Sequence, residues 1–459
     1  MHVVKNLTTL TYIVKKIDMK NIVLFGAGMS ATSLIKYLLD HSKEGNWLLK
    51  VVDRDLDLVK EKIGDSSHAE AVSIDINNAS AREEVLSSAD IVISMLPAFL
   101  HIVVAKDCIR LKKDLVTASY VSKELKAMEK DVKDAGLVFM NEIGLDPGID
   151  HMSAMQVIDR IRENGAKLTS FKSFTGGLVA PEFDSNPWRY KFTWNPRNVV
   201  LAGQGVSQFK SDEQYKYIPY HKLFTRTEEL EVLDYGNFEA YANRDSLSYR
   251  SIYGIEGIPT ILRGTLRRPG YCRAWNLLVQ LGMTDDSYEM ENVDQMTYRQ
   301  FTNSFLFFRQ EDTAELKLAY YLGIELHSPE MEKLRWLGLF SNKKIGISKG
   351  TPAQILQHLM EEKMSLEEGD RDMCVMQHIF VYEKDGICTK LKSSMVAKGD
   401  DPSHTAMAKT VGLPLAIYVR LFLTNKLSVD PGVHIPVMKE VYEPVLKELE
   451  SVGIEFIEE

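Results

Sequence analysis

Short apolar runs alternate with amphipathic stretches through the first third of the chain. "NIVLFGAGMSATSLIKYLLDH" reads as a buried strand, a glycine turn and a helix, and "LLKVVDRD" as a second strand. "AVSIDI", "ADIVISML", "DLVTASY" and "GLVFMNEIG" are further short apolar runs. Between them "LDLVKEKIG", "AREEVLSS", "HIVVAKDCIRLK" and "SKELKAMEKDVKDAG" carry a helical period. Strict alternation of strand and helix predicts βαβ units and a parallel sheet over residues 20–145.

Beyond Asp146 the texture changes. "HMSAMQVIDRIRENG" predicts an amphipathic helix, and "KLTSFKSFTGGLVA" begins as an alternating strand. Aromatic, Gly, Pro and Arg residues crowd 181–275, as in an α+β domain with long loops. Residues 284–365 read as mostly helical and charged, a small helical domain. "RDMCVMQHIFVYEKDGICTKLKSSMVA" predicts a hairpin turning at Lys384-Asp385-Gly386, so 366–403 is grouped with 146–283. Helices in 404–459 are expected to complete the first domain, and residues 1–19 form an N-terminal extension. The expected class is α/β: a parallel-sheet domain, an α+β substrate domain and a small helical domain.

Composition narrows the function. Hydrophobic content of 45% and charged content of 26% are those of an ordinary globular protein. A net charge of −9 argues against a nucleic-acid or acidic-membrane partner. Cys108, Cys272, Cys374 and Cys388 are widely spaced, which excludes a disulfide framework or zinc site by pattern and points to the cytoplasm. No signal peptide and no run of about 18 apolar residues is read, so no transmembrane helix and no membrane partner are expected. No H-E-x-x-H, G-x-S-x-G or P-loop occurs, and no metal is expected.

The first strand runs into Gly26-Ala27-Gly28-Met29-Ser30-Ala31, a G-x-G-x-x-A turn opening a helix. Gly26 permits the tight turn, Gly28 lets the backbone approach a pyrophosphate, and Ala31 allows close helix–strand packing. The helix N-terminus offers unpaired N–H groups to phosphate. The first domain is therefore expected to be Rossmann-like and to bind a dinucleotide. Asp53 ends the second strand, where a carboxylate accepts the ribose hydroxyls of NAD; the adjacent Arg54 leaves NADP open, with NAD slightly favoured. Asp75, after the third strand, is either near the adenine or an ordinary solvated carboxylate. Leu96 and Pro97 of "MLPAF" follow the fourth strand, where a loop usually runs beneath the nicotinamide.

"NEIGLDPGIDH" (141–151) combines Pro147-Gly148 with four ionisable groups and can only be a turn between domains. Asp146 lies at the end of the last parallel strand, where such sheets present their ligands. Glu142, Asp150 and His151 are read as supporting residues. "NPWRYKFTWNPR", "YANRD" and "RGTLRRPGY" set arginines in turn-like contexts. Several guanidinium forks in one domain suit a substrate with several carboxylates.

From about Lys20 onward these segments resemble saccharopine dehydrogenase, the L-glutamate-forming family (saccharopine reductase). "TASYVS", "NEIGLDPGIDHM", "SFKSFTGGLVAPE", "NPWRYKFTWNPR", "NRDS", "ILRGTLRRPGY", "WLGLF", "RDMCVMQH" and "MAKTVGLP" carry the resemblance in this order. It implies a reversible oxidation in lysine metabolism: saccharopine, NAD(P)+ and water give L-glutamate, 2-aminoadipate 6-semialdehyde and NAD(P)H. It also implies a homodimer. Ser119, Tyr120, Asp146, Arg244, Thr265, Leu266 and Arg267 match substrate-contacting positions. Leu145, Asp146, Pro147 and Asn195 match positions at the nicotinamide end. Asp146 and Tyr120 are the candidates for proton transfer at the substrate nitrogen. Thr175 stands where fungal and animal members have Cys, and Arg268 replaces an aromatic, which leaves the pocket edge open. The alternatives are a carboxynorspermidine-type dehydrogenase and a non-catalytic nucleotide-binding protein.

Overall fold

The computed structural model describes residues 19–459, so the expected N-terminal extension lies, Met19 apart, outside the described residues. Six strands, β1 (Lys20–Phe25), β2 (Trp47–Asp53), β3 (Ala69–Ser73), β4 (Ile91–Ser94), β5 (Asp114–Thr117) and β6 (Val138–Met140), pair in parallel. A late strand, Gly432–His434, adds in parallel to the edge of β6. The order is late strand-β6-β5-β4-β1-β2-β3, so the winding reverses between β1 and β4. Ile22 to Phe25 and Ile91 to Ile93 are all buried, as continuous apolar strands must be when both faces are covered. Such a reversal opens a crevice at the carboxyl ends of the strands, and the glycine turn leaves β1 there.

Helix α1 (Thr32–Asp40) follows that turn and buries Leu34, Ile35 and Leu38. After β6 the chain turns into α2 (Ile149–Glu163), buried along most of its length. "SKELKAMEKDVKDAG" forms two short helices, Lys123–Ala127 and Glu129–Asp134, meeting at Met128.

The second sheet is mixed. Its strands are β7 (Lys167–Val179), β8 (Val206–Ser211), β9 (Gln214–Pro219), β10 (Thr227–Glu231), β11 (Asn237–Ala242), β12 (Thr260–Arg267), β13 (Asp372–Lys384) and β14 (Ile387–Lys398). The order is β10-β11-β12-β7-β13-β14 and then Ile457–Glu458, with β8 against β12 and β9 against β8. Within it β12 and β7 run parallel. The β13–β14 hairpin turns at Asp385-Gly386, both at positive φ (53° and 77°), as a two-residue hairpin loop requires. β13 pairs along the length of β7, so this late hairpin joins the sheet that carries β12. Residues between β12 and β13 include helices Tyr298–Asn303, Ala314–Leu322, Pro329–Leu337 and Pro352–Met364; Thr297 and Thr351 close capping boxes on the first and last.

The late helix α3 (Ala406–Leu423) is long and apolar enough to cross a membrane by length and composition, although Lys409 and Arg420 interrupt its apolar run. It is mostly buried and packs on α1 in the first core. The contact is close at Gly412: a Cβ there would sit 3.0 Å from the Leu34 Cβ and 3.1 Å from the Ser30 carbonyl oxygen. This late helix thus braces the glycine turn from behind. Gly412→Val should destabilise the fold by about 1–3 kcal/mol, the cost of overpacking a tight helix contact, read as a lower urea midpoint.

Candidate active site

Each glycine of the turn has a spatial reason. Gly26 has φ +98°, and a Cβ on it would lie 2.8 Å from the Met95 carbonyl oxygen, because Met95 N–H donates to Phe25 O at 2.8 Å across the strand reversal. A Cβ on Gly28 would meet nothing within 4 Å, so the space above that backbone is open. Ala31 is buried beneath it. Met29 and Ser30 sit in the short 3-10 turn, with Met29 exposed. An open backbone before a helix start fits a dinucleotide pyrophosphate.

The ribose end departs from expectation in one respect. Asp53 does not project freely: its carboxylate accepts the N–H of Ala27 at 2.8 Å and of Asp55 at 3.1 Å, folding it onto the glycine turn. Arg54 is exposed, and its guanidinium has no partner among the described residues. Lys62 donates to Gly28 O at 2.7 Å and to Thr32 Oγ1 at 2.9 Å, and burial lowers its pKa. Asp75 is exposed and accepts the Asn77 N–H, the geometry of a solvated turn carboxylate. Leu96 packs against the sheet, while Pro97 is exposed, followed by Phe99 at 75% exposure.

The turn after β6 folds tightly on itself. Gly144 N–H donates to Pro147 O at 2.9 Å, and Ile149 N–H donates to Gly144 O at 2.8 Å. Gly148 has φ +147°, and a Cβ on it would overlap the Gly144 backbone at 2.1 Å, so no other residue fits. Leu145 is buried, and Pro147 is wedged into the turn. This compact turn presents Asp146 beside Asp150, whose Oδ1 accepts the Gly148 N–H at 2.6 Å.

Arg263, on β12, reaches across from the second sheet. One terminal nitrogen donates to Asp146 Oδ1 at 2.6 Å and to Asp150 Oδ2 at 2.5 Å, with the guanidinium 4.2 Å from the Tyr249 ring centre. Tyr120 OH donates to Asp146 Oδ1 at 3.2 Å. Behind them, His151 bridges Glu142 Oε2 at 2.9 Å and Tyr253 OH at 2.6 Å, and Glu142 also accepts Tyr249 OH and the Val121 N–H. Glu142, Asp150 and His151 are all buried, tied to one another and to Arg263 rather than open to a ligand.

Electrostatics separate the two aspartates. Burial raises the Asp146 pKa above the usual carboxylate value, although Arg263 pulls against it. Burial acts upward on Asp150 too, but His151, Arg263 and the Gly148 N–H together hold its pKa low. Burial and the Asp146 charge push Tyr120 far above an ordinary phenol, so it stays protonated at neutral pH. Burial opposes the charge of Arg263, yet Asp150 and Asp146 keep it cationic. Two carboxylates facing one guanidinium are thus unequal, Asp146 being the more readily protonated and Asp150 the more firmly charged.

Along β12 the alternation of a strand puts Arg263, Thr265 and Arg267 on one face, with the two arginines roughly 13 Å apart. Arg267 is buried beside the rings of Tyr190 (5.3 Å) and Tyr271 (5.2 Å). No carboxylate pairs with it among the described residues; burial works against its charge, and the phenols of Tyr241, Tyr271 and Tyr190 raise its pKa. Its Nε is unpartnered, as are the buried hydroxyls of Thr175, Tyr190 and Thr193. Thr175 lies opposite Thr265 in the β7–β12 register. Buried polar atoms in a native fold normally have partners, so these unpartnered atoms stand out.

Arg244, at φ +47°, is exposed with its guanidinium 5.6 Å from the Tyr120 ring centre and no ion pair among the described residues. Ser119 takes part in a 2.7 Å hydrogen bond with His101 Nε2. Two expected positions behave differently. Leu266 is wholly enclosed in the second core, so its side chain offers no surface to substrate in this state. Asn195 is exposed and caps the helix Pro196–Val200 through the Arg197 N–H at 2.9 Å. Arg268 turns to the opposite face, donating to Tyr235 O at 2.8 Å over the Phe238 ring, and leaves the pocket edge alone. Sequence reading did not single out Arg263, Tyr249 or His101. For Arg263 a signal existed, since strand alternation sets it in phase with Thr265 and Arg267; for the other two none did.

A Rossmann-type nucleotide cradle facing a mixed-sheet domain across a buried Asp–Arg–Asp cluster defines a dinucleotide-dependent oxidoreductase. Two family models match the chain: Saccharopine dehydrogenase NADP binding domain over residues 22–140 and Saccharopine dehydrogenase C-terminal domain over 144–454. The chain belongs to the saccharopine dehydrogenase family. It is 34% identical over 446 residues to saccharopine dehydrogenase [NADP(+), L-glutamate-forming] of Pyricularia oryzae, covering 95% of this chain and 98% of that one. It is also 34% identical to the mitochondrial alpha-aminoadipic semialdehyde synthase of Bos taurus, of which it spans 47% while 95% of this chain is covered. Among solved structures, apo histidine-tagged saccharopine dehydrogenase (L-Glu forming) from Saccharomyces cerevisiae superposes with a TM-score of 0.86 at 33% identity, covering 96% of this chain and 99% of that one.

Two buried histidines set an acid limit. Burial lowers both His101 and His378 to about 4, and His378 is fully buried with Nε2 on Ser153 Oγ at 2.7 Å and Nδ1 unpartnered. An unfolded chain binds those protons below about 6.5, so stability falls as pH drops from about 6.5 toward 4. The loss should reach about 2–3 kcal/mol per histidine by pH 4.5. His378→Gln should remove one such increment, giving a shallower decline in urea-unfolding free energy between pH 7 and 4.5.

Proposed function

We propose that this chain interconverts saccharopine, NADP+ and water with L-glutamate, 2-aminoadipate 6-semialdehyde and NADPH, in lysine metabolism. The observation that carries the reading is the Asp146–Arg263–Asp150 cluster, with Tyr120 on Asp146, where the two sheets meet. Two carboxylates against one guanidinium leave a site for a cationic nitrogen. The unpaired forks of Arg244 and Arg267 around it suit the carboxylates of such a substrate. A carboxylated polyamine, with one carboxylate and several cations, would meet arginine where it needs acid. A non-catalytic descendant would have no use for a poised carboxylate.

A dinucleotide held at the Gly26–Gly28 turn would supply the hydride acceptor for the carbon beside the secondary nitrogen. That nitrogen must be neutral first, and Asp146, ionised and with a raised pKa, accepts its proton. Tyr120, held protonated, donates to Asp146 and orients it. Hydride loss from the neutral amine leaves an iminium ion on the substrate; water adds to its carbon and gives a proton to solvent, the proton held on Asp146 returns to the nitrogen, and the hydroxyl proton is lost as the C–N bond breaks and glutamate leaves as the amine. Arg263 and Asp150 keep Asp146 in place through both transfers. Thr175 has a hydroxyl that does not titrate usefully, so proton transfer falls to Asp146. Leu145, Pro147 and Asn195 border the nicotinamide end, and Thr265 lines the substrate side. NADP is the cofactor we assign over NAD: Asp53 is engaged by backbone N–H groups, and Arg54 stands free for a 2′-phosphate. The active form is a homodimer, a reading that light scattering would check.

Purified protein with saccharopine should generate absorbance at 340 nm with NADP+, and no signal with either cofactor would overturn the reading. Arg54→Ala should raise KM for NADP+ roughly tenfold, the worth of a charge-assisted contact, with little change for NAD+. Asp146→Asn should lower kcat about 100-fold or more. Saccharopine oxidation by the wild type should fall as pH drops through the raised Asp146 pKa, and that acid limb should vanish in the variant. An unchanged limb with only weaker binding would assign Asp146 to orientation alone.

A further inference from the structure

At the carboxyl ends of β4 and β5, a buried imidazole links two serines. His101 opens the helix His101–Leu111, directly after the loop carrying Leu96 and Pro97. Its Nδ1 lies 2.8 Å from Ser94 Oγ and its Nε2 lies 2.7 Å from Ser119 Oγ, with Thr117 Oγ1 farther off at 3.4 Å. Ser94 is fully buried, and among the described residues its hydroxyl has His101 as its one hydrogen-bond partner.

That arrangement determines where the protons lie. A buried hydroxyl left without an acceptor is costly. Ser94 O–H therefore donates to Nδ1. A neutral imidazole then carries its single proton on Nε2, and Nε2–H donates to Ser119 Oγ. Among the described residues no carboxylate contacts the ring, and burial keeps it neutral across the physiological range. Ser119 has accepted one hydrogen bond from below, so its own O–H is free to donate outward. The reversed tautomer would leave the Ser94 proton without an acceptor and would draw the Ser119 proton inward.

We propose that His101 is a positioning residue that fixes the Ser119 hydroxyl as a hydrogen-bond donor to a carboxylate of the substrate. This rests on the functional reading above, in which Ser119 touches substrate. It is distinct from the proton-transfer cluster, because the His101 chain runs under the sheet end through Ser94 and does not include Asp146.

The test is a double-mutant cycle in the full-length protein, with KM for saccharopine at saturating cofactor, kcat, and NADPH affinity by fluorescence. Ser119→Ala should raise KM roughly tenfold or more, the loss of a hydrogen bond to a charged group. His101→Leu should raise KM similarly, with kcat and NADPH affinity changed less than about threefold. The double variant should be no worse than Ser119→Ala, because both remove one interaction. His101→Gln, whose amide can accept from Ser94 and donate to Ser119, should hold KM near wild type and guards against a misfolded leucine variant. Multiplicative effects in the double variant, or a glutamine variant as impaired as leucine, would overturn the positioning role. An unchanged KM in Ser119→Ala would overturn both the proposal and the reading of Ser119 beneath it. Loss of NADPH affinity in His101→Leu alone would reassign His101 to the cofactor loop.

Discussion

One guanidinium holds this site together. Arg263 comes from the second sheet, Asp146 from the turn that leaves the first, and Asp150 from the helix that follows. Removing charge from water is expensive, and a buried ion pair offsets that cost only when its geometry is good and its remaining atoms are bonded. Here the Tyr249 ring, the Gly148 N–H and Tyr120 supply those extra contacts. Burial raises Asp146 most, and one cation shared between two carboxylates does not offset it. Asp150 takes the stronger support from His151 and the backbone; Asp146 is left to titrate high.

From that imbalance the rest of the site follows. In the function proposed here, the cluster interior receives a positive nitrogen, and Arg244 beside Tyr120 and Arg267 among its phenols receive the negative ends. A substrate with an amine in the middle and carboxylates at its periphery meets each charge with its opposite. The fold contributes rigidity: Gly148 admits no side chain against the Gly144 backbone, and helix α3 presses on the nucleotide turn through Gly412. The last part of the chain thus completes the sheet, through Gly432–His434, and braces the cofactor cradle.

Much of this was legible in the sequence because it depends on local patterns. The parallel sheet follows from strand–helix alternation, and the dinucleotide cradle from Gly26, Gly28 and Ala31. Asp146 stands out because an acid directly before Pro-Gly, in the turn that follows the last parallel strand, has few uses. What could not be read depends on contacts distant in sequence. Asp53 looked free for a ribose, but its carboxylate turned out to be engaged by Ala27, 26 residues earlier. The importance of Arg263 arises only when residues 117 and 113 positions away converge on it. Leu266 and Arg268 sit within a motif of candidate binding arginines, yet both turn away from Arg267's face. Ser94, His101 and Ser119 span three elements, and no spacing rule links them.

The central claim is that burial and a shared arginine divide two neighbouring aspartates into a proton acceptor and a fixed charge. Carbon-13 NMR titration of carboxyl-labelled aspartate, with signals assigned through Asp146→Asn and Asp150→Asn, measures this directly in the unliganded protein. The account predicts that Asp146 titrates clearly above an ordinary aspartate, about 3.9, and Asp150 below it. An Asp146 carboxyl that titrates at or below the ordinary value would contradict it.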